Sequence, residues 1–120
     1  MTCYNKSVII SKKKPFTREE INQLLEKYNP YIKTVIDIEK KICVAGMSRH
    51  FEGEQMLIND FDSHQSQIWG GGIDMETKDI DFNSFINIRP RDNNPKNEIL
   101  NPKIRSEYQK LMEYFFKEIL

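Results

Sequence analysis

Two groups of side chains have types and spacing that could do chemistry. The first is Asp37, Glu39, His50 and Glu54. The carboxylates of Asp37 and Glu39 alternate onto one face of an extended segment, and His50 and Glu54 stand one helical turn apart. Hard and borderline divalent metals accept such a mixture of oxygen and imidazole ligands, and a metal held there would lower the pKa of a bound water, the chemistry of a small metal-dependent hydrolase or nuclease. The competing reading is plain ion pairing, His50 with Glu54 and the two strand carboxylates with Lys40, Arg49 or Arg89. Asp37, Glu39 and Lys41 also form an Asp-x-Glu-x-Lys string, but its lysine falls in a turn.

The second group is Asn87 and Arg89 on one expected strand, Asn93 and Asn94 on the loop after it, and Gln65, Gln67 and Trp69 on the expected partner strand. Arginine suits a carboxylate or phosphate, Asn and Gln supply orienting hydrogen bonds, and Gly70-Gly71-Gly72 lets a ligand approach backbone amides. Asn87, Arg89, Asn94 and Gln65 are the expected recognition groups of a binding site, with Trp69 as its wall. The competing reading pairs Arg89 with Asp37 or Glu39 and buries Trp69 in the core. The glycine run is not a phosphate loop, because no Lys-Ser or Lys-Thr follows it. Nucleophilic catalysis finds little support, since Cys43 lies in an apolar strand pattern, Ser84 faces the apolar side of its strand, and neither has a placed histidine base.

The elements that must position these groups can be read in order. Ser7–Ser11 is a short β-branched strand, and Lys12-Lys13-Lys14 a solvated loop. Thr17 and Glu20 form a capping box, and Ile21, Leu24, Leu25 and Tyr28 make a stripe that ends before Pro30. Tyr31–Glu39 alternates as a strand, and a two-residue turn at Lys40-Lys41 would set Asp37 opposite Val44 and Glu39 opposite Ile42, with a longer turn as the alternative. A short helix is expected over Glu52–Asn59, weakened by Gly53. Ile68–Ile73 and Phe82–Pro90 form the central hairpin, joined by a turn over Asp74–Asp79. Period 2 in its second strand sets Phe82, Ser84, Ile86 and Ile88 against Asn83, Phe85, Asn87 and Arg89. Arg91–Leu100 is a polar loop. Asn101 caps a last helix with Pro102 at its first position and a stripe of Ile104, Tyr108, Leu111, Met112, Phe115 and Ile119.

This order predicts an α+β domain spanning residues 1–120, a mainly antiparallel sheet of about five strands with two longer helices and one short helix packed on one face. Eighteen basic residues balance eighteen acidic ones, so nothing in the net charge favours nucleic acid. No apolar run reaches the length of a membrane span, no secretory leader is evident, and Cys3 and Cys43 read as reduced, which places the chain in the cytoplasm. No cofactor is expected outside the metal reading. The partner is a small ligand or another protein, and a homodimer joined through a sheet edge or the last helix is a third possibility.

From Val35 to Arg105 the sequence resembles a family of small uncharacterised prokaryotic proteins, a domain of unknown function. The resemblance rests on the strand ending at Lys40, on Gly46, His50 with Glu54, Ser63, Gln65 and Trp69-Gly70, and on Phe82-Asn83-Ser84-Phe85-Ile86-Asn87-Ile88-Arg89-Pro90 with Asn94 beyond. Gly72 stands where the pattern usually has Asn, Phe51 where it prefers a small residue, and the usual Arg-Ser after Asn94 is missing. The resemblance implies a shared fold and a shared site, and no activity.

Overall fold

The sheet is built from five strands, β1 (Ile10–Lys12), β2 (Tyr31–Asp37), β3 (Ile42–Ala45), β4 (Ile68–Asp74) and β5 (Asp79–Asp81), in a computed structural model that describes residues 9–120. They lie in the order β1-β3-β2-β4-β5, and every neighbouring pair is antiparallel. Of the first expected strand, Ser7 and Val8 lie outside the described residues, as do Cys3 and Tyr4. Lys12 closes β1 and pairs with Glu20 at 3.0 Å.

Local signals place the outer helices. In α1 (Arg18–Lys27) the Glu20 amide donates to Thr17 Oγ1 at 3.1 Å and the Thr17 amide donates to the Glu20 carboxylate at 2.9 Å. In α3 (Pro102–Phe115) Asn101 Oδ1 accepts from the amides of Lys103 and Ile104. Both helices cover one face of the sheet. There Ile32, Ile36, Cys43, Trp69 and Ile73 pack with Ile21, Leu24, Tyr108, Met112 and Phe115 in one buried cluster. Tyr108 also shares a 2.7 Å hydrogen bond with Thr34 in this core.

The middle helix departs from expectation twice. α2 (His50–Phe61) runs for 12 residues, beyond Glu52–Asn59 at both ends and longer than α1 with its 10. It also covers the opposite face, where Leu57 and Met47 pack with Val35, Ile42, Val44 and Ile68. The sheet is therefore sandwiched, because alternate residues of β2 and β3 are apolar on both sides and a one-faced stack would leave Val35 and Val44 wet. Gly53 is the reason α2 can lie so close: a Cβ there would come 2.9 Å from Val35 Cγ2 and 2.7 Å from Met47 Cε.

The β2–β3 connection is the longer alternative. Asp37 faces Ile42 and Val35 faces Val44, leaving Ile38 to Lys41 as the loop. Asp37 sets this register, since its buried Oδ1 accepts from the amides of Glu39 and Lys40, each at 2.9 Å, and Lys41 takes a positive φ of 58°.

The largest correction concerns Phe82–Pro90, which is not a strand. β5 precedes it and pairs with β4 only from Gly72 to Asp74. The chain then leaves the ladder through successive side-chain turns: Asp81 Oδ1 accepts from the Asn83 amide at 3.1 Å, and Ser84 Oγ accepts from the Ile86 amide at 3.2 Å, initiating a one-turn 3₁₀ segment over Phe85–Asn87. A second such segment covers Pro90–Asp92. Short polar side chains that bond nearby amides compete with a sheet ladder, and here they win over the period-2 pattern.

Replacing Gly53 with Ala would improve helix propensity by about 1 kcal/mol, yet the added methyl must push Val35 and Met47 at an overpacking cost of about 1–3 kcal/mol. Gly53→Ala is expected to lower the urea midpoint; a raised midpoint would mean that α2 lifts freely from the sheet.

Candidate functional site

The 82–94 loop fills the place that a longer β5 would take beside β4, and its chemistry starts from Asn87. The Asn87 carboxamide, fully buried, accepts from the Gly70 amide at 2.9 Å and donates to the Gly70 carbonyl at 2.9 Å. It thus completes the β4 edge as a strand residue would. Its Nδ2 also reaches the carbonyls of Phe82 and Asn97, at 3.2 and 3.0 Å. Asn94, also buried, donates to the carbonyls of Asn87, Lys96 and Glu98 and accepts from the Leu100 amide. Asn93 takes the left-handed conformation that closes the Pro90–Asp92 turn. The hydrogen-bonding capacity of Asn87 and Asn94 is therefore directed at backbone groups of β4 and of the chain from Phe82 to Leu100.

The loop sets Arg89 on Trp69. The guanidinium carbon lies 3.9 Å from the centre of the Trp69 ring system, a cation–π stack, and Nη1 donates to the Gln65 carbonyl at 2.6 Å. Nε stands 3.5 Å from Asp92 Oδ2, while Nη2 is buried without an acceptor among the described residues. Burial pulls the Arg89 pKa below its ordinary value, and the charges of Asp92 and Glu54 oppose that. Arg89 does not pair with Asp37 or Glu39. Beside it a depression of about 380 Å³ is lined by Gln65, Ser66, Arg89, Pro90, Arg91 and Asp92. The structure thus brings Arg89 and Gln65 to the depression, buries Trp69 in the core beneath Arg89 and not in the lining, and makes Asn87 and Asn94 supports of the loop; Ser66 and Arg91 were missed because alternation along a strand could not bring them to the same hollow.

The expected metal ligands scatter. Asp37 sits at the end of β2 and serves its turn, Glu39 is exposed on that turn, and Glu54 accepts from Gln65 Nε2 at 3.3 Å. His50 is bonded to Gly71, three residues along β4 from the Ile68 that faces Asp37, about 10 Å of strand rise. Among the described residues no group of three or more His, Cys, Asp or Glu side chains could hold a metal ion, so the hydrolase reading on Asp37, Glu39, His50 and Glu54 is not favoured. No described helix is long and apolar enough to cross a membrane. Cys43 is a free, fully buried thiol whose pKa burial pushes up, which makes it inert.

A family model described as "Protein of unknown function (DUF5674)" matches residues 8–115. The chain belongs to DUF5674. No curated protein and no solved structure matches it. In this DUF5674 chain the matched span contains both the 82–94 loop and a second polar place that sequence reading did not assemble.

That place lies on the α2 side of β4. His50 Nε2 meets the Gly71 carbonyl at 2.7 Å, so Nε2 carries the proton and Nδ1 is the acceptor of a neutral ring. Burial lowers the His50 pKa below 6.5; the Gly71 bond opposes this, Lys33 adds to it and Asp81 opposes it. Tyr31 bonds to Asp81, and burial followed by that bond raises the phenol's pKa. His50 and Ser84 stand directly over Gly70, where a Cβ would fall 2.7 Å from Ser84 Cβ and 3.1 Å from His50 Cδ2. No periodicity brings positions 33, 50 and 84 together; the glycine run was the available signal, since strand positions without side chains leave room for others to cross the sheet.

Two outcomes are expected. Asn87→Ala strands both polar groups of Gly70 and should cost about 2–4 kcal/mol in chemical denaturation, and Asn87→Asp, which turns a carboxylate toward three carbonyls, should cost more; equal stability of either variant would remove Asn87 from this role. Because the folded imidazole has a pKa below 6.5, the unfolded chain binds the proton more readily. The stability this confers is fully present above 6.5 and is lost as pH falls through 6.5 toward the folded value. Between about pH 7.5 and about pH 5 the parent should lose more stability than His50→Gln, and parallel curves would contradict the assignment.

Proposed function

We propose that this DUF5674 chain is a cytoplasmic binding module that takes a small carboxylate- or phosphate-bearing ligand at the Arg89 depression. One observation carries the reading. Arg89 is held over the Trp69 ring and anchored at Nη1, while Nη2 has no acceptor among the described residues and Nε has only a long contact to a half-exposed Asp92. Buried guanidinium donors ordinarily find acceptors, and a planar, pre-oriented guanidinium matches an oxyanion with little entropy left to lose. Arg91 and Ser66 at the rim add a second cation and a hydroxyl donor, with Gln65 beside them. Asp92 then acts as a competing internal carboxylate that the ligand displaces. Asn87 and Asn94 position the site, and the balanced net charge argues against nucleic acid as its occupant.

Titration with inorganic phosphate and with acetate, followed by amide chemical shifts, tests this. Shifts are expected at Gln65, Ser66 and Arg91 with millimolar affinity, corresponding to about −4 kcal/mol. Asp92→Asn should tighten binding by about threefold to fivefold, the size of a surface ion pair. Arg89→Lys, which keeps the charge, and Arg91→Ala, which alters only an exposed side chain, should each weaken it. Unchanged affinity in a folded Arg89→Lys protein would sink the proposal.

A further inference from the structure

We infer that the hollow between α2 and the Ser84–Ile86 turn is a second ligand site, taking a small molecule that joins an anionic group to a planar apolar ring. It is a separate place from the Arg89 depression, and the two share no lining residue. The volume is about 310 Å³, at the small end of ligand pockets.

Charge selects the anionic part. Lys33 of β2 and Arg49 before α2 both line the hollow, no acidic side chain does, and among the described residues neither cation is in an ion pair. Glu52, the nearest acid along the helix, feels the charge of Arg49, but its carboxylate accepts from the Ser48 and Arg49 amides and the Ser48 hydroxyl. Asp81 lies within electrostatic reach of His50, but it receives Tyr31 and the Asn83 amide. Two cations line the hollow, Glu52 offsets only Arg49 and lies outside the lining, and the pocket keeps a net positive charge suited to a phosphate or carboxylate.

Shape and exposure select the ring. Phe51 is 57% exposed and Phe85 85% exposed, and both line the hollow. Leaving two phenyl rings in water forgoes burial that either could obtain against a flat partner, and aromatic rings favour offset or edge-on contact with another π system. Phe85 is presented outward because Ser84 and Asn87 fix the turn on either side of it through the Ile86 and Gly70 backbones.

The floor supplies orientation. Over Gly70, Ser84 and His50 come close to the sheet, and His50 is locked by its proton on Gly71 so that Nδ1 offers a lone pair. Ser84 Oγ accepts from Ile86, which leaves its own hydrogen to donate. One acceptor and one donor between a cationic rim and an aromatic wall can fix the substituents of a ring whose anionic group lies toward Lys33 and Arg49. Aryl phosphates and nucleoside monophosphates belong to this class.

Phenyl phosphate is the probe, with inorganic phosphate and phenol as its two halves, each titrated against the full-length protein by amide and His side-chain NMR. Phenyl phosphate is expected to bind at least about tenfold tighter than inorganic phosphate and to shift Lys33, His50, Ser84 and Phe85. Phe85→Ser, at a site whose side chain is almost wholly in solvent, should bring phenyl phosphate down to the affinity of inorganic phosphate. Lys33→Gln should weaken phenyl phosphate and leave phenol unchanged, and Arg89→Lys should leave the His50 shifts intact. The inference is overturned if phenyl phosphate binds no tighter than phosphate, if its shifts centre on Ser66 and Arg91 instead, or if Phe85→Ser and Phe51→Ser both bind it as the parent does.

Discussion

The polar loop beside β4 depends on a side chain acting as backbone. β4 pairs with β2 along its whole length, but β5 covers only its last three residues, and the open edge beside Gly70 must still satisfy an amide and a carbonyl. Asn87 supplies both partners from one carboxamide, a group with the same donor and acceptor as a peptide unit. Because a side chain completes the ladder, the backbone carrying it is free to turn. That freedom points Phe85 outward toward His50's hollow and sets Arg89 on Trp69, so one substitution of side chain for strand defines two hollows.

Much of the fold was legible where the determinants are local. Thr17 with Glu20 and Asn101 with Pro102 fix helix starts through amides three residues or fewer away, and the sequence spacing is itself the geometry. The Tyr31 and Ile68 strands could be read because both are dense in apolar residues. The Phe82–Pro90 segment could not, because alternation of Phe, Ser and Ile with Asn and Arg is the same whether the Asn side chains face solvent or replace a neighbour's backbone. Between the two turns left open after β2 the structure takes the longer one, because the Asp37 carboxylate caps a loop and a two-residue turn has no use for that cap.

The site divides in a similar way. Arg89 and Gln65 meet at the depression although the hairpin that was to join them does not exist, since the loop returns to the same edge of β4 that a strand would have occupied, while Trp69 lies in the core beneath Arg89. His50 was noticed for its residue type and given the wrong companions. Helical spacing pointed to Glu54, whereas the ring's partner is a carbonyl of the glycine strand, and such a partner has no side-chain signature.

The glycine run explains why the two faces of β4 can differ so sharply. Ile68 and Trp69, at its start, bury ordinary side chains in the two cores. From Gly70 onward the α2 face carries no side chain of its own until Asp74, and Ser84, His50 and Tyr31 lie over it instead. An apolar residue at Gly70 would place a side chain on the α2 face, while its backbone amide and carbonyl would still need the Asn87 carboxamide. A strand that gives up that contact, at a site where glycine weakens sheet formation, is stable only because the crossing side chains are themselves bonded: Ser84 to Ile86, His50 to Gly71 and Tyr31 to Asp81. Such a trade sets rigid polar groups beside an open hollow, the arrangement a binding site requires and a hydrophobic core does not.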